Sequence, residues 1–131
     1  MAKHSRIVEN GRRAVWHTAR LWELARDLPV VDVAIADVAD FEQDCWFGTG
    51  RAPTCRAVAE HARRIAAADL SYPVILAADG RLMDGGHRIA KAWLAGHTHV
   101  QAVRFVVDPA PDYYVHDEEA AVPPPPVEGV G

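Results

Sequence analysis

The chain has 131 residues, half of them hydrophobic, which is enough to bury the core of one soluble domain. The net charge of -4 divides into +3 over residues 1–27, -1 over residues 28–107 and -6 over residues 108–131. A chain-wide basic surface is therefore excluded, and direct DNA binding is not expected. No run of about 18 apolar residues and no apolar leader occur, so we expect a cytoplasmic protein with no membrane partner.

The first part of the chain has a helical pattern. Val15, Ala19, Trp22 and Arg26 recur at helical intervals over residues 11–27, and Pro29 interrupts the pattern. We therefore predict an N-terminal helical extension over residues 1–28, which packs on its own domain or on a second copy in a homodimer.

A strand, a loop and a second helix are predicted next. β-branched residues indicate a strand over residues 30–35, and glycines and a proline indicate a loop over residues 40–53. Thr54 is a suitable N-cap for an Ala-rich helix that extends to Ala68. The spacing predicts an apolar face with Val58, Ala62 and Ile65, while three arginines lie off this face: Arg56, Arg63 and Arg64.

The third part of the chain predicts a hairpin, a glycine turn, a helix and a strand. Residues 72–77 form a continuous apolar run typical of a buried strand, and Asp79-Gly80 favours a hairpin turn. A helix is predicted over residues 87–95, ending at Gly96, and a last strand over residues 100–107. The acidic, proline-rich tail over residues 108–131 is expected to be extended or disordered, although Tyr113 and Tyr114 favour packing of its first part against the domain.

The sequence Asp84-Gly85-Gly86-His87-Arg88 is the most informative motif. A helix N-terminus presents unpaired backbone N–H groups, and glycines allow a phosphate to approach them closely. Arg88 can bind two phosphate oxygens, and His87 can donate a hydrogen bond. Two alternatives stay open: Arg88 pairs with Asp84 or another carboxylate, and His87 only caps the helix.

The element order and this turn resemble a superfamily. Over residues 29–107 the chain resembles the α+β domain shared by the N-terminal part of ParB partition proteins, the sulfiredoxins and the ParB-like free-serine kinases. The resemblance implies one small mixed sheet with flanking helices. It also implies that Gly85, Gly86, His87 and Arg88 contact the phosphates of ATP, ADP or CTP. Basic residues of the preceding helix are expected to assist: Arg56, Arg63 and Arg64.

Departures from these relatives limit what the resemblance implies. Sulfiredoxins place a reactive cysteine where this chain has Gly86, so sulfinic acid repair is not expected. Partition proteins continue into a helix-turn-helix region, whereas this chain becomes acidic at Asp108. The serine kinases are most similar at the turn. Their resemblance implies a loop carboxylate as general base, for which we select Glu42 over Asp40 and Asp44, and an Mg²⁺ ion held by Asp84.

Two functions remain open from the sequence. The first is a phosphotransferase acting on a small hydroxyl-bearing molecule, or an NTP hydrolase, with Glu42, Asp84 and His87 as catalytic residues. The second is a non-catalytic module that changes conformation or partner when nucleotide binds. Two further residues were interpreted as structural: His61 as a packed histidine and Trp46 as a core anchor, with adenine stacking by Trp46 as the alternative.

Overall fold

The computed structural model describes residues 2–48 and 52–116. This part of the chain contains three α-helices and seven strands, and the strands form two sheets. The helices are α1 (Thr18–Ala25), α2 (Cys55–Ala67) and α3 (Gly86–Leu94). The strands are β1 (Lys3–Ile7), β2 (Arg12–His17), β3 (Val31–Ala34), β4 (Val74–Leu76), β5 (Leu82–Asp84), β6 (His99–Arg104) and β7 (Tyr113–His116).

The strands of the first sheet come from both ends of the described chain, and those of the second sheet come from its middle. The first sheet is antiparallel with the order β1-β2-β7, and it joins the two ends of the described chain. The second sheet is mixed with the order β3-β6-β4-β5, in which only β4 and β6 run parallel. The α+β class and the small mixed sheet expected within residues 29–107 are confirmed, whereas the first sheet, whose strands lie outside that range, was not predicted.

The second sheet is buried on both faces. Ile75, Met83 and Val103 pack on one face with Trp16 and Leu21, which come from β2 and α1. The opposite face packs against α3 and the 3₁₀ segments that follow β3, through these side chains: Val74, Leu76, Leu82, Val100, Ala102, Ile35, Val38, Ile89 and Ala92. A sheet covered on both faces explains the continuous apolar run of β4.

The predicted N-terminal extension over residues 1–28 is wrong. Arg12–His17 is the central strand of the first sheet, and the helix is limited to Thr18–Ala25. Ala14, Val15 and Trp16 are consecutive and all buried, which a helix with one apolar stripe would not allow. Since Trp16 and Leu21 belong to the core, this segment is part of the domain.

The predicted extended or disordered tail is wrong for its first part. Tyr113–His116 forms β7 and pairs with Arg12–Val15, as the tyrosines had suggested. The indole of Trp16 donates a hydrogen bond to the Pro109 carbonyl oxygen at 2.9 Å. Asp112 accepts one from the backbone amide of His17 at 2.8 Å. Residues 117–131, including the proline run, lie outside the described residues.

The other predicted elements are largely confirmed. Thr54 caps α2 by accepting a hydrogen bond from the amide of Ala57. The predicted apolar face of α2 is wrong, however, because Val58 and Ala62 are exposed. The partly buried face carries Ala57, His61 and Ile65 instead. In the described residues, none of the helices has the length and apolar character needed to cross a membrane.

Candidate functional site

A cavity of about 560 Å³ opens beside the glycine turn. The N-terminus of α3 forms one side of it, and β1 contributes Lys3, His4 and Ser5 to the other. The loop after β3 and the last turn of α2 complete the wall. The volume lies within the range of about 300–1,000 Å³ that is usual for small-molecule sites.

The glycine turn has the backbone that the motif requires. Gly85 has a φ of 123°, and a Cβ atom placed there would lie 2.5 Å from Cγ1 of the fully buried Val74. Gly86 begins α3, and a Cβ there would lie 3.2 Å from the indole nitrogen of Trp46. Within the described part of the chain, no side chain caps the first turn of α3. The amides of this turn are therefore suited to receive an anion, as the sequence predicted.

Arg88 is engaged within the protein. Its Nη2 contacts Oδ2 of Asp84 at 3.0 Å, and its Nη1 donates a hydrogen bond to the Pro73 carbonyl oxygen at 2.9 Å. The same Asp84 oxygen accepts a hydrogen bond from the Trp22 indole at 2.9 Å, and the guanidinium lies 5.2 Å from the Trp22 ring centre. The alternative in which Arg88 pairs with Asp84 therefore describes its geometry, although Arg88 still lines the cavity.

His87 belongs to a stack of three rings. Its Nε2 lies 2.9 Å from Nδ1 of His61, which makes a hydrogen bond between the two imidazoles. The Trp46 ring stacks on both, with centroid distances of 4.7 Å to His87 and 4.8 Å to His61. Loss of solvent contact lowers the pKa of both histidines, and the nearby Arg64 lowers each further. Neutral imidazoles are favoured here, so His87 acts first as a hydrogen-bonding group.

The loop acids occupy different places. Asp40 lines the cavity and accepts a hydrogen bond from the amide of Leu82 at 3.1 Å. Asp44 also lines it, but its carboxylate accepts from the amides of three residues of its own loop, Trp46, Phe47 and Gly48. Glu42 is exposed and does not line the cavity. Its role as general base stays a prediction, and Asp40 is the better placed carboxylate.

Only one of the three predicted arginines of α2 reaches the cavity. Arg64 lines it, whereas Arg56 and Arg63 are exposed elsewhere on the helix. Arg64 makes no hydrogen bond or ion pair with another described residue, so its guanidinium remains available. Lys3 is the second cation on this side, and its ammonium donates a hydrogen bond to the Tyr113 hydroxyl at 2.9 Å.

The interpretation of His61 as a packed histidine is confirmed, because it lies on the partly buried face of α2 against Trp46 and His87. Two residues that line the cavity, Lys3 and His4, were not predicted from the sequence. Lys3 and His4 were missed because β1 is polar and has no period that predicts a buried strand. His4 is partly buried, and its loss of solvent contact together with the Arg6 charge lowers its pKa to about 4.

A second, apolar cavity of about 490 Å³ adjoins the first. It lies between the loop after β3, α2 and α3, and aromatic side chains dominate its wall: Phe41, Trp46, Phe47 and Trp93. Cys45 borders both cavities as a free thiol whose pKa is raised by burial and by Asp40 and Asp44. A raised pKa keeps the thiol protonated and weakly nucleophilic at neutral pH.

The described residues hold no group of three or more His, Cys, Asp or Glu side chains arranged to bind a metal ion. Mg²⁺ is commonly held by one or two carboxylates together with substrate phosphates. Asp84 fits such a role only through Oδ1, because Oδ2 already accepts two hydrogen bonds. Asp40 is the other carboxylate with one oxygen committed to a backbone amide.

Comparison with known proteins gave no relative: no protein-family model, curated protein or solved structure matches this chain.

Proposed function

We propose that the chain is a nucleotide-binding domain of the ParB and sulfiredoxin type, which holds the phosphates of ATP, ADP or CTP at the N-terminus of α3. The observation that carries the proposal is the uncapped glycine turn opening into a cavity that Arg64 and Lys3 also line. Backbone amides, the positive end of the helix dipole and two cations are the groups that phosphate requires.

The charges of the cavity support this assignment once their pairing is considered. Three carboxylates line it, but Asp84 is neutralised by Arg88 and Asp44 is directed into its own loop. Asp40 then remains beside the two cations, Lys3 and Arg64. A nucleotide bringing Mg²⁺ can place the ion near Asp40 or Asp84, where a carboxylate and phosphate oxygens would share it.

Binding is the part of the function that the geometry supports best. Phosphoryl transfer to a hydroxyl is the second candidate, favoured by the position of Asp40 in the cavity. Asp40 would accept the hydroxyl proton while that oxygen attacks the terminal phosphorus and the nucleoside diphosphate leaves. Without turnover, the same site acts as the nucleotide-responsive module.

The first test is thermal unfolding with Mg²⁺ and ATP, ADP, CTP or GTP. A ligand that binds only the folded state at about 100 times its Kd stabilises it by about 2.7 kcal/mol, which raises Tm by several degrees. Arg64→Ala should weaken binding about tenfold, whereas its neighbour Arg63→Ala should bind as wild type. Equal shifts for the two variants, or no shift with any nucleotide, would contradict the proposal.

Turnover is measured separately as formation of nucleoside diphosphate from the bound triphosphate, which both hydrolysis and transfer to a hydroxyl produce. If the protein is an enzyme, Asp40→Asn should abolish this conversion and leave binding intact, and Glu42→Gln should retain most of the activity. Loss of activity only in Glu42→Gln would restore the sequence-based choice of base. If the nucleotide stays intact for hours while it saturates the site, the protein is not an enzyme for that nucleotide, and the non-catalytic module is the remaining function.

A further inference from the structure

The apolar cavity has the composition of a site for a flat ring. Trp46 and Phe47 form its loop side, Phe41 and Trp93 lie 6.1 Å apart between ring centroids, and Ile89 lies within α3. Trp93 is 56% exposed, whereas Ile89, one turn earlier in α3, is buried. An aromatic side chain that is left half exposed at the wall of a cavity gives a stacking surface at little cost to the fold.

The two cavities are continuous in their lining. Seven residues border both, and among them are Trp46, Gly86 and Gln43. The anion-binding turn and the aromatic wall therefore lie on either side of the same short segments. A ligand with a charged end and a ring at the other end matches this arrangement better than two separate ligands.

The polar groups at this boundary are almost all committed. Asp44 is bonded to three amides, Asp40 to the amide of Leu82, and the Cys45 thiol to the Asp40 carbonyl oxygen. The Gln43 side chain is exposed and makes no hydrogen bond with another described residue. A carboxamide has one acceptor and two donor hydrogens, and it can pair in a bidentate manner with the edge of a base.

We infer that the apolar cavity receives the base of the bound nucleotide, with Trp93 as a stacking surface and the Gln43 carboxamide as the group that selects the base. This inference rests on the proposed function, because the phosphates must lie at the turn of α3. Gln43 is a specificity residue on this account, and Trp93 contributes affinity without distinguishing bases.

The experiment compares nucleotides with inorganic tripolyphosphate, which lacks the base, by isothermal calorimetry. Trp93→Leu should weaken nucleotide binding about tenfold, as loss of one base-stacking contact does, and leave tripolyphosphate binding unchanged. Gln43→Leu should reduce the preference of the wild type among ATP, CTP and GTP at least severalfold. Tyr114→Leu, another partly exposed aromatic residue, which lies on β7, is the matched control.

The outcomes separate this inference from the proposed function. Suppose that tripolyphosphate binds and that Trp93→Leu and Gln43→Leu bind nucleotides with wild-type affinity and preference. The base then lies elsewhere, so this inference is overturned while the proposed phosphate site stands. If neither tripolyphosphate nor any nucleotide binds the wild type, both fail. Since Gln43 is exposed, its variant tests the inference even if Trp93→Leu folds poorly.

Discussion

At the scale of single residues, the central finding is that Arg88 is part of the scaffold of the site. Its side chain is only 17% exposed, and that of Asp84 is 24% exposed. A cation and a carboxylate so placed need each other, because removing either leaves a poorly hydrated charge without its partner. Arg88 joins Asp84, at the start of the glycine turn, to the Pro73 carbonyl oxygen, and the more open Arg64 is the cation that we propose to contact a ligand.

This pairing predicts a measurable coupling energy. In a double-mutant cycle with Asp84→Asn and Arg88→Met, urea unfolding should give a coupling of about 1–3 kcal/mol. The Arg20–Asp112 pair, with Arg20 37% exposed, should give less than about 1 kcal/mol. Similar couplings for the two pairs would show that Arg88 is not held by Asp84.

The partly buried His4 predicts a loss of stability in acid. Its pKa falls from 6.5 to about 4 on folding, so the unfolded chain binds a proton between these values and the folded chain does not. Its contribution is present above pH 6.5 and is lost as the pH falls to 4, by about 3 kcal/mol. Urea unfolding at pH 7 and pH 4.5 should show a smaller loss for His4→Gln than for wild type.

The control for this measurement is His97→Gln at an exposed position. The Ser71 hydroxyl lowers the pKa of Asp69, and backbone hydrogen bonds lower those of Asp79 and Asp112, so protonation of these carboxylates also reduces stability in acid in every variant. Only the difference between His4→Gln and wild type therefore reports on His4. If His4→Gln lost as much free energy of unfolding between pH 7 and pH 4.5 as the wild type, the acid sensitivity would not come from His4.

At the scale of elements, the residues at turns and helix ends correctly predicted where those turns and helix ends lie. The Thr54 cap, the Asp79-Gly80 turn and the helix ending before Gly96 follow from turn and cap chemistry, and all are present. Val15 and Trp22 are spaced for one helix, and Trp22 lies in α1 as predicted, but Val15 lies in a strand that pairs with both β1 and β7. Pairing partners distant in sequence override local spacing, and no local pattern reveals them.

The glycines at the two ends of α3 predict different losses of stability when each is replaced by alanine. Gly85→Ala should destabilise by at least about 2 kcal/mol, since the new Cβ would combine a φ of 123° with a clash against Val74. Gly96→Ala, at the other end of the same helix, has a φ of 89° and open space, so its cost should be about 1 kcal/mol. Chemical denaturation of both variants provides the comparison, and an equal cost would argue against the tight approach of Val74.

At the scale of the whole molecule, the first sheet explains which residues of the site could be predicted from the sequence and which could not. The glycine turn, Arg64 and the loop acids could be proposed from the sequence, because they are consecutive or on one helix. Lys3 and His4 could not, since they reach the cavity only through a β1-β2-β7 sheet formed from both ends of the described chain. The boundaries at residues 28 and 108 therefore divided a continuous domain.

The same sheet predicts the effect of truncation. Removing residues 109–131 should destabilise the protein by at least about 2 kcal/mol, because it deletes β7 and leaves the Trp16 indole and the His17 amide without their partners. Removing residues 117–131 keeps β7 and the two hydrogen bonds, so this shorter deletion should lower the Tm less than the longer one. The prediction fails if the longer deletion unfolds at the wild-type temperature.

The position of β1 also sets the order in which the binding site can be assembled. Lys3 and His4 line one side of the cavity, and residues 84–88, which line the other side, are synthesised about 80 residues later. Contacts between such distant segments form late in folding, since the intervening chain must first be ordered. The cavity is therefore complete only when β1 is in place, and a nucleotide bound at α3 as proposed should slow hydrogen exchange at the amides of β1 as well.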